Sequence, residues 1–282
     1  MKKRKRNNVS NLLIIVVIVV GLCIMLYPKV SNYINSLHQS KTITTYSEKV
    51  ERIDPEEYER ILKEAQEYNE NLFQNSNLYQ LTKEEKEKYL HCLNLDGKGM
   101  MGYIEIPSIH VKIPIYHGTE KSVLQVAVGH LEGTSLPVGG INSHCVLSGH
   151  RGLPQAKLFT DLDKLSEGDR FTIQVMDEVM TYEVDQIATI DPQDHEYLQI
   201  EKGKDYCTLV TCTPYGINTH RLLVRGHRIE NEKNENDLQK PRNAKSTRIL
   251  LYVFPLIACN IAIWVLVRRR HFRRKVRGGK RK

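Results

Sequence analysis

The chain has 282 residues, 40% of them hydrophobic, so it is long enough and apolar enough to form a packed core. Its formal net charge of +8 is concentrated in two tails, Lys2 to Arg6 and Arg268 to Lys282, which hold fifteen basic residues and no acidic one. The remainder is net acidic, with 26 basic against 33 acidic residues. This composition excludes disorder throughout and argues against a nucleic-acid-binding domain. Such tails are typical of chains whose ends lie against an anionic membrane.

Each basic tail adjoins an uncharged apolar segment, residues 12–27 and residues 249–267. The first approaches the ~20 residues that cross a bilayer, and no Ala-x-Ala-like site follows it, which favours an uncleaved anchor over a signal peptide. The positive-inside rule then places both termini in the cytoplasm and the middle of the chain outside the cell membrane. The predicted organisation is a basic tail (1–11), a transmembrane helix (12–27), an extracellular helical preamble (28–99), a β domain (100–229), a polar linker (230–248), a second transmembrane helix (249–267) and a basic tail (268–282).

Two helices are predicted in the preamble. Asp54 followed by Pro55 is typical of a helix start, and Thr82 with Glu85 forms a capping box at a second one. From residue 102 the pattern changes to short extended runs separated by Gly, Pro and Asn, which predicts a mainly β barrel or sandwich of eight strands. A helical turn is expected over residues 157–165. The predicted strands are Tyr103–Ile106, Val111–Ile115, Cys145–Ser148, Phe171–Met176, Met180–Val184, Ile187–Ile190, Tyr206–Thr211 and Arg221–Arg225.

The candidate catalytic residues lie around the end of the seventh predicted strand. The segment Thr208 to Cys212 is rich in β-branched residues and ends in a thiol, so it is predicted to be a strand with Cys212 at its end. A turn is predicted at Pro214 to Gly216, and the next strand then places Arg221 beside the sulfur. Acyl transfer requires a thiolate nucleophile, a cation that stabilises the developing oxyanion, and a proton donor for the leaving amine. His150 is the best candidate for the proton donor. This chemistry needs no metal or cofactor.

The cysteines do not form a disulfide pattern. Cys23 and Cys259 fall in the apolar segments, and Cys207 and Cys212 are separated by an odd number of residues, so on a strand they point to opposite faces. We expect Cys212 to be a free thiol and Cys207 to fill the core.

Several motifs resemble class C sortases. They are Gly102 to Pro107, Pro114 to Thr119, Gly129 to Pro137, Ser148 to Pro154, Leu158 to Leu165 and Thr208 to Cys212. The resemblance covers about residues 100–228, and the two apolar segments and the helical preamble are similar to the same subclass.

The resemblance implies an eight-stranded sortase β-barrel and a cysteine transpeptidase of Gram-positive surfaces. Cys212 would attack the carbonyl between Thr and Gly of an LPXTG-like sorting signal, His150 would protonate the departing amine, and Arg221 would stabilise substrate or oxyanion. In pilin-polymerising members the acceptor is a lysine of the next pilin subunit, which is the function we predict. In anchoring members it is a peptidoglycan precursor, the first alternative.

Other interpretations remain open at this stage. A non-catalytic module that binds sorting signals and a cysteine endopeptidase are further alternatives. Arg225 could compete with Arg221, since both share a strand face, and His144, His220 and His227 are interpreted as structural. The spacing of the histidines and cysteines fits no zinc motif, so no metal site is predicted.

One feature of the family is missing. Many class C members carry an Asp-Pro-aromatic lid before the first strand, yet Gln74 to Met101 contains no proline. Two hypotheses follow: the segment merely covers the barrel, or a variant lid occludes Cys212 with Tyr79 or Phe73 as its plug.

Overall fold

The computed structural model describes residues 2–74 and 81–231, with side chains from Leu13 onward. The second predicted transmembrane helix (249–267), nearly all of the linker and the C-terminal basic tail lie outside the described residues.

The chain begins with one long helix. Helix α1 spans Lys2–Val50 and includes Pro28, so the predicted transmembrane segment and the start of the preamble form one continuous element. Within the described residues, α1 is the one helix that is long and apolar enough to cross a bilayer. Its apolar side chains, such as Leu13, Val17 and Ile24, are more than half exposed, as expected of residues that have no protein core to pack against.

The two predicted preamble helices are present. Helix α2 spans Pro55–Gln74, and its first turn is capped by Asp54, whose Oδ1 accepts the N–H of Glu56 at 2.9 Å. Glu57, three residues after Asp54, pairs with Arg60. Helix α3 spans Lys83–His91 and carries the full capping box of Thr82 and Glu85.

Eight strands close into a barrel in the order β1-β2-β3-β4-β7-β8-β6-β5. The predicted count is confirmed, but two assignments were wrong. The runs Met180–Val184 and Ile187–Ile190 are one strand with a register shift between Val184 and Gln186, and β3, only three residues long, was not predicted because so short a run has no readable alternation. The strands are β1 (Met100–Ile106), β2 (Val111–His117), β3 (Val128–His130), β4 (Ser143–Ser148), β5 (Arg170–Val175), β6 (Glu178–Ile190), β7 (Asp205–Thr213) and β8 (His220–Ile229), with a one-turn helix α4 (Lys121–Leu124) before β3.

Strand directions define two rims. Strands β4 and β7 are parallel and end together, and β8 begins where β7 ends. That rim, here called the Cys212 rim, carries the β1–β2 connection (107–110), the β4–β5 connection (149–169) and the β7–β8 connection (214–219). The opposite rim carries the β3–β4 connection (131–142) and the β5–β6 turn (176–177).

The β4–β5 connection helps to close the barrel core at the Cys212 rim. Phe159, Leu162 and Leu165, the side chains expected to pack across the sheet, are all buried. The predicted helical turn over residues 157–165 is reduced to a 3-10 turn at Leu162–Lys164.

Helices α2 and α3 pack at the opposite rim. The Tyr89 hydroxyl accepts the N–H of Gly118 at 2.9 Å and lies 3.1 Å from Nδ1 of His130. Asn69 exchanges two hydrogen bonds with the backbone of Leu136. Helices α2 and α3 therefore cover the end of the barrel that is remote from Cys212.

Candidate active site

The β7–β8 hairpin brings Cys212 and Arg221 together. They are direct Cα partners in the antiparallel ladder, so their side chains lie on the same face of the sheet. The connection between them is a tight turn in which the N–H groups of Ile217 and Asn218 both donate to the carbonyl of Pro214, at 3.1 and 3.0 Å. Gly216 and Asn218 have left-handed φ values of 78° and 64°, which glycine and asparagine tolerate best.

Alternation along β7 separates its two cysteines. Cys207 and Leu209 belong to the barrel interior and are fully buried. Cys212 is partly exposed, and Val210, on its face, packs in a second apolar cluster on the outside of the barrel. Cys207 thus fills the core, as predicted, and the free thiol of Cys212 lies outside it.

His150 follows β4 at the Cys212 rim. Strands β4 and β7 pair in parallel with Ser148 opposite Val210 as the last pair, and His150 and Cys212 each lie two residues beyond it. The segment after β4 is fastened to β7 by two hydrogen bonds: Gly149 N–H donates to the Val210 carbonyl at 3.0 Å, and Thr211 Oγ1 donates to the Gly149 carbonyl at 2.7 Å.

Gly149 is required next to His150 for steric reasons. A Cβ at position 149 would lie 2.6 Å from the Phe159 ring, so a larger residue would push that ring out of the core. Phe159 in turn donates its N–H to the His150 carbonyl at 3.1 Å. The imidazole is therefore carried by a backbone fixed on both sides, in the manner that a proton-transfer group needs.

Burial affects the charge of this imidazole. Desolvation lowers the pKa of His150 below its ordinary value, because its surroundings disfavour the cation. At neutral pH the neutral imidazole therefore predominates.

Arg221 and Arg225 have different environments. The Arg221 guanidinium donates to the carbonyl of His220 at 3.1 Å and forms no ion pair with the described residues, so its charge remains free for a ligand. Arg225 binds Asp185 at 3.0 Å and Glu201 at 3.3 Å, and its guanidinium lies 4.1 Å from the centre of the Tyr206 ring. Position favours Arg221, because Arg225 pairs with Thr208, four residues before Cys212.

The remaining histidines of the barrel make structural contacts. Both ring nitrogens of His144 are engaged, with Nδ1 2.8 Å from the Gln199 carbonyl and Nε2 2.7 Å from Thr208 Oγ1. His220 lies 3.5 Å from Asp191, and His227 lies 3.7 Å from Asp185. Across the ranges that the structure describes, no three His, Cys, Asp or Glu side chains converge in a manner that could hold a metal ion.

A second apolar cluster lies on the same face of the sheet as the thiol. The buried side chains of Val146, Ile190, Leu198 and Leu223 form this cluster on the outer face of the sheet, with Val210 packed against it. Leu198 comes from the β6–β7 connection (191–204), which crosses this face. The cluster therefore fastens the β6–β7 connection to the sheet.

Sequence reasoning missed one group at the site, Arg151. Its guanidinium pairs with Asp163, lies 3.4 Å from Thr213 Oγ1 and faces the Tyr215 ring at 5.7 Å. Arg151 follows His150 and Thr213 follows Cys212, so this side chain links the two segments that carry the reactive groups. Arg151 belongs to the motif Ser148 to Pro154, which is identifiable from the sequence. Its contact with Thr213 joins residues that are 62 positions apart, so no local pattern indicates it.

Helices α2 and α3 of the preamble pack at the rim opposite Cys212. Phe73, one of the two suggested plugs, is at the end of α2 and partly exposed. Tyr79, the other, lies outside the described residues. The described helices α2 and α3 therefore cover the barrel at the end remote from the thiol.

The geometry can support acyl transfer. One rim carries a partly exposed thiol, a guanidinium without an acidic partner among the described residues, and an imidazole on a fixed backbone. These are a nucleophile, a candidate oxyanion donor and a candidate proton donor.

Comparison with known proteins agrees with this geometry. Residues 104–229 match the model of the sortase domain. Over 131 residues the chain is 30% identical to sortase D of Bacillus subtilis, an alignment that covers 45% of this chain and 63% of that protein. The chain thus matches less than two thirds of the length of this curated relative.

Solved structures of similar proteins cover a larger share of this chain. The crystal structure of sortase C1 from Streptococcus agalactiae is 53% identical with a TM-score of 0.66, covering 68% of this chain and all of that one. Sortase C from Streptococcus pneumoniae, whose structure is described as informative on catalysis and pilin substrate specificity, is 45% identical with a TM-score of 0.61, covering 68% of this chain and 97% of that one. The fold, the paired Cys212 and Arg221 and these identities lead to one conclusion: the chain belongs to the sortase family of cysteine transpeptidases, in class C.

Proposed function

We propose that the protein is a membrane-anchored transpeptidase that joins pilin subunits. Cys212 attacks the carbonyl between Thr and Gly of an LPXTG-like sorting signal and forms a thioacyl bond as the Thr–Gly bond breaks. His150, neutral at rest, accepts the proton of the Cys212 thiol and donates it to the departing glycine amine, and Arg221 stabilises the oxyanion or positions the substrate. The amine of a pilin lysine then attacks the thioacyl carbon and displaces the thiolate.

One observation carries this proposal: Cys212 and Arg221 are direct partners on the outer face of the barrel, and His150 follows β4 at the same rim, two residues beyond the pair of Ser148 and Val210. The mechanism requires these three groups at one point and assigns no step to a metal or cofactor. A non-catalytic binding module would not need a free thiol paired with an uncompensated guanidinium.

The acceptor and the location are supported less directly. Likeness to class C structures, one of them described in terms of pilin specificity, favours a pilin lysine over a peptidoglycan precursor. Helix α1 supports anchoring in the membrane, because it is apolar and exposed where the sequence predicts a span. The second span at 249–267 and the cytoplasmic termini rest on the sequence pattern.

The proposal is tested by mass spectrometry of the detergent-solubilised full chain incubated with an LPXTG-type peptide. We expect a thioacyl adduct on Cys212 that passes to a lysine of a purified pilin domain. Transfer only to a peptidoglycan-like amine would identify an anchoring enzyme instead, and transfer only to water would identify an endopeptidase. An intact peptide with no adduct would contradict catalysis altogether.

A further inference from the structure

Helix α1 lies along the barrel and contacts both rims in turn. Asn32 Oδ1 accepts the N–H of Lys157 at 2.7 Å, and Gln39 Nε2 donates to the Val126 carbonyl at 2.7 Å. Two turns further on, the Tyr46 hydroxyl donates to the Met101 carbonyl at 2.9 Å and accepts the N–H of Met176 at 2.8 Å. The helix therefore has a fixed direction relative to the strands.

The first of these contacts is at the Cys212 rim. Lys157 belongs to the β4–β5 connection, which also carries His150, and its Nζ donates to the Ile109 carbonyl of the β1–β2 connection at 3.0 Å. The last contact is at the opposite rim, since Met101 begins β1 and Met176 is in the β5–β6 turn. Moving along α1 from the N-terminus, one meets the Cys212 rim first.

The N-terminal part of α1 is its apolar part, which ends near Tyr27. At 1.5 Å per residue, Asn32 lies only about 7 Å beyond that point, whereas Tyr46 lies about 28 Å beyond it. Pro28 precedes all three contacts, so a bend there would tilt the whole barrel but would not exchange its rims. The Cys212 rim is therefore the end of the barrel nearer to the apolar segment.

The surface of this rim suits a lipid interface. Tyr215 and Ile217, in the β7–β8 connection, are 60% and 68% exposed, although they are large apolar side chains next to the reactive thiol. Aromatic and aliphatic side chains of this kind partition into the boundary between head groups and acyl chains. Lys29 and Tyr33 of α1 occupy the same level of the helix and are typical of residues that flank a membrane span.

We infer that the Cys212 rim faces the surface of the bilayer that α1 enters, with the β7–β8 connection in contact with the lipid head groups. This inference rests on the proposed membrane anchoring and adds an orientation to it. The reactive thiol would then lie close to the membrane surface, where it reaches a peptide that is itself held at that surface. The opposite rim, with α2 and α3, would face away from the lipid.

The orientation can be measured by quenching a fluorophore with nitroxide-labelled lipid head groups. The full chain is reconstituted in phosphatidylglycerol-containing vesicles after Cys23, Cys212 and Cys259 are replaced by Ala, since Cys92, Cys145 and Cys207 are buried. One label is attached through Ile217→Cys. The matched control is Lys202→Cys, an exposed residue beside Gly203, whose N–H donates to Asn142 at the opposite rim. Strand β7 separates the two sites by about 25 Å.

We expect at least threefold stronger quenching at position 217 than at position 202. Equal quenching, or stronger quenching at position 202, would overturn the orientation even if the enzyme proved active, since the measurement requires no turnover. Failure of the chain to float with the vesicles would overturn the orientation together with the proposed anchoring. The transpeptidase chemistry is tested separately with soluble peptide and does not depend on either result.

Discussion

The reactive thiol is defined by which face of a strand it occupies. Cys207 and Cys212 share β7, yet Cys207 is fully buried among core side chains and Cys212 is partly exposed beside Arg221. Burial also raises the pKa of the Cys207 thiol well above its ordinary value, so that cysteine stays protonated and inert. The same residue type is thus packed in the core at one position and accessible beside a guanidinium at the other.

The two cysteines should respond differently to removal. We expect Cys212→Ala to abolish both product and thioacyl adduct, because no other described cysteine is exposed at the site. Cys207→Ala should keep substantial activity and lose about 1 kcal/mol of stability through its small cavity. Peptide cleavage and urea unfolding measure the two effects. Full turnover in both variants would show that the nucleophile is misassigned.

The two arginines of β8 provide a second matched pair. Arg221→Ala should lower kcat/KM about a hundredfold or more, as loss of an oxyanion donor does, with little change in thermal stability. Arg225→Ala should instead lower the free energy of unfolding by about 1–3 kcal/mol, because Asp185 loses its partner and Tyr206 its stacked cation. Steady-state kinetics and urea unfolding of both variants test this. The assignment fails if Arg225→Ala loses activity without losing stability.

Among the elements, the β4–β5 and β7–β8 connections must be held together for the site to form. Neither connection has a ladder of its own, and Arg151 spans the gap between them through Asp163, Thr213 and Tyr215. Its side chain is only 10% exposed, so this contact is shielded from water more than a surface ion pair would be. We regard Arg151 as a positioning residue for His150 and Cys212.

Loss of Arg151 should therefore slow the chemical step. We expect Arg151→Ala to reduce kcat on the order of tenfold with a smaller change in KM, since misplacing a proton donor affects the transition state most. Arg151→Lys, which keeps the charge near Asp163, should recover part of the rate. The control is Arg60→Ala, which removes exposed ion pairs of α2 at the opposite rim. A loss of thermal stability with kcat unchanged would assign Arg151 a purely structural role.

Buried imidazoles in different parts of the molecule make the stability of the folded protein depend on pH. Burial lowers the pKa of His117, His144 and His150, so the folded state binds protons less readily than the unfolded chain does. Their contribution to stability is present above pH ~6.5 and is lost as the pH falls below it. Asp205 acts in the opposite direction, because burial raises the pKa of its carboxyl.

The three imidazoles lower stability as the pH falls, whereas the Asp205 carboxyl has the opposite effect. Because the imidazoles are more numerous, we expect the free energy of unfolding to be lower at pH 5.5 than at pH 7.5. Urea unfolding at the two values measures the difference. His144→Gln should be less stable at both values but should show a smaller difference between them, since one titrating imidazole is gone. An equal or greater stability of the parent protein at pH 5.5 would contradict this account.

Much of the molecule was predictable because the relevant signals are local. Strand alternation separated Cys207 from Cys212, the capping residues at 54 and 82 marked two helix starts, and the motifs around His150 and Cys212 indicated the family. Local signals were insufficient where an element is very short or a strand contains an irregularity, as at β3 and within β6. In those places the structure depends on neighbouring strands that lie far away in sequence.

Local patterns were enough to indicate Cys212 as the candidate nucleophile, Arg221 as its candidate partner and the apolar segment at 12–27, since each depends on residue type and spacing within about twenty positions. His150, 62 residues before Cys212, was indicated by its own motif. Folding pairs Arg225 with Asp185 and Glu201, joins the segments of His150 and Cys212 through Arg151, and packs α2 and α3 away from Cys212. It also decides which rim of the barrel α1 reaches first. The physical reason is that closing the barrel and packing the helices against it bring together groups widely separated in the chain, and no local pattern specifies which of them will meet.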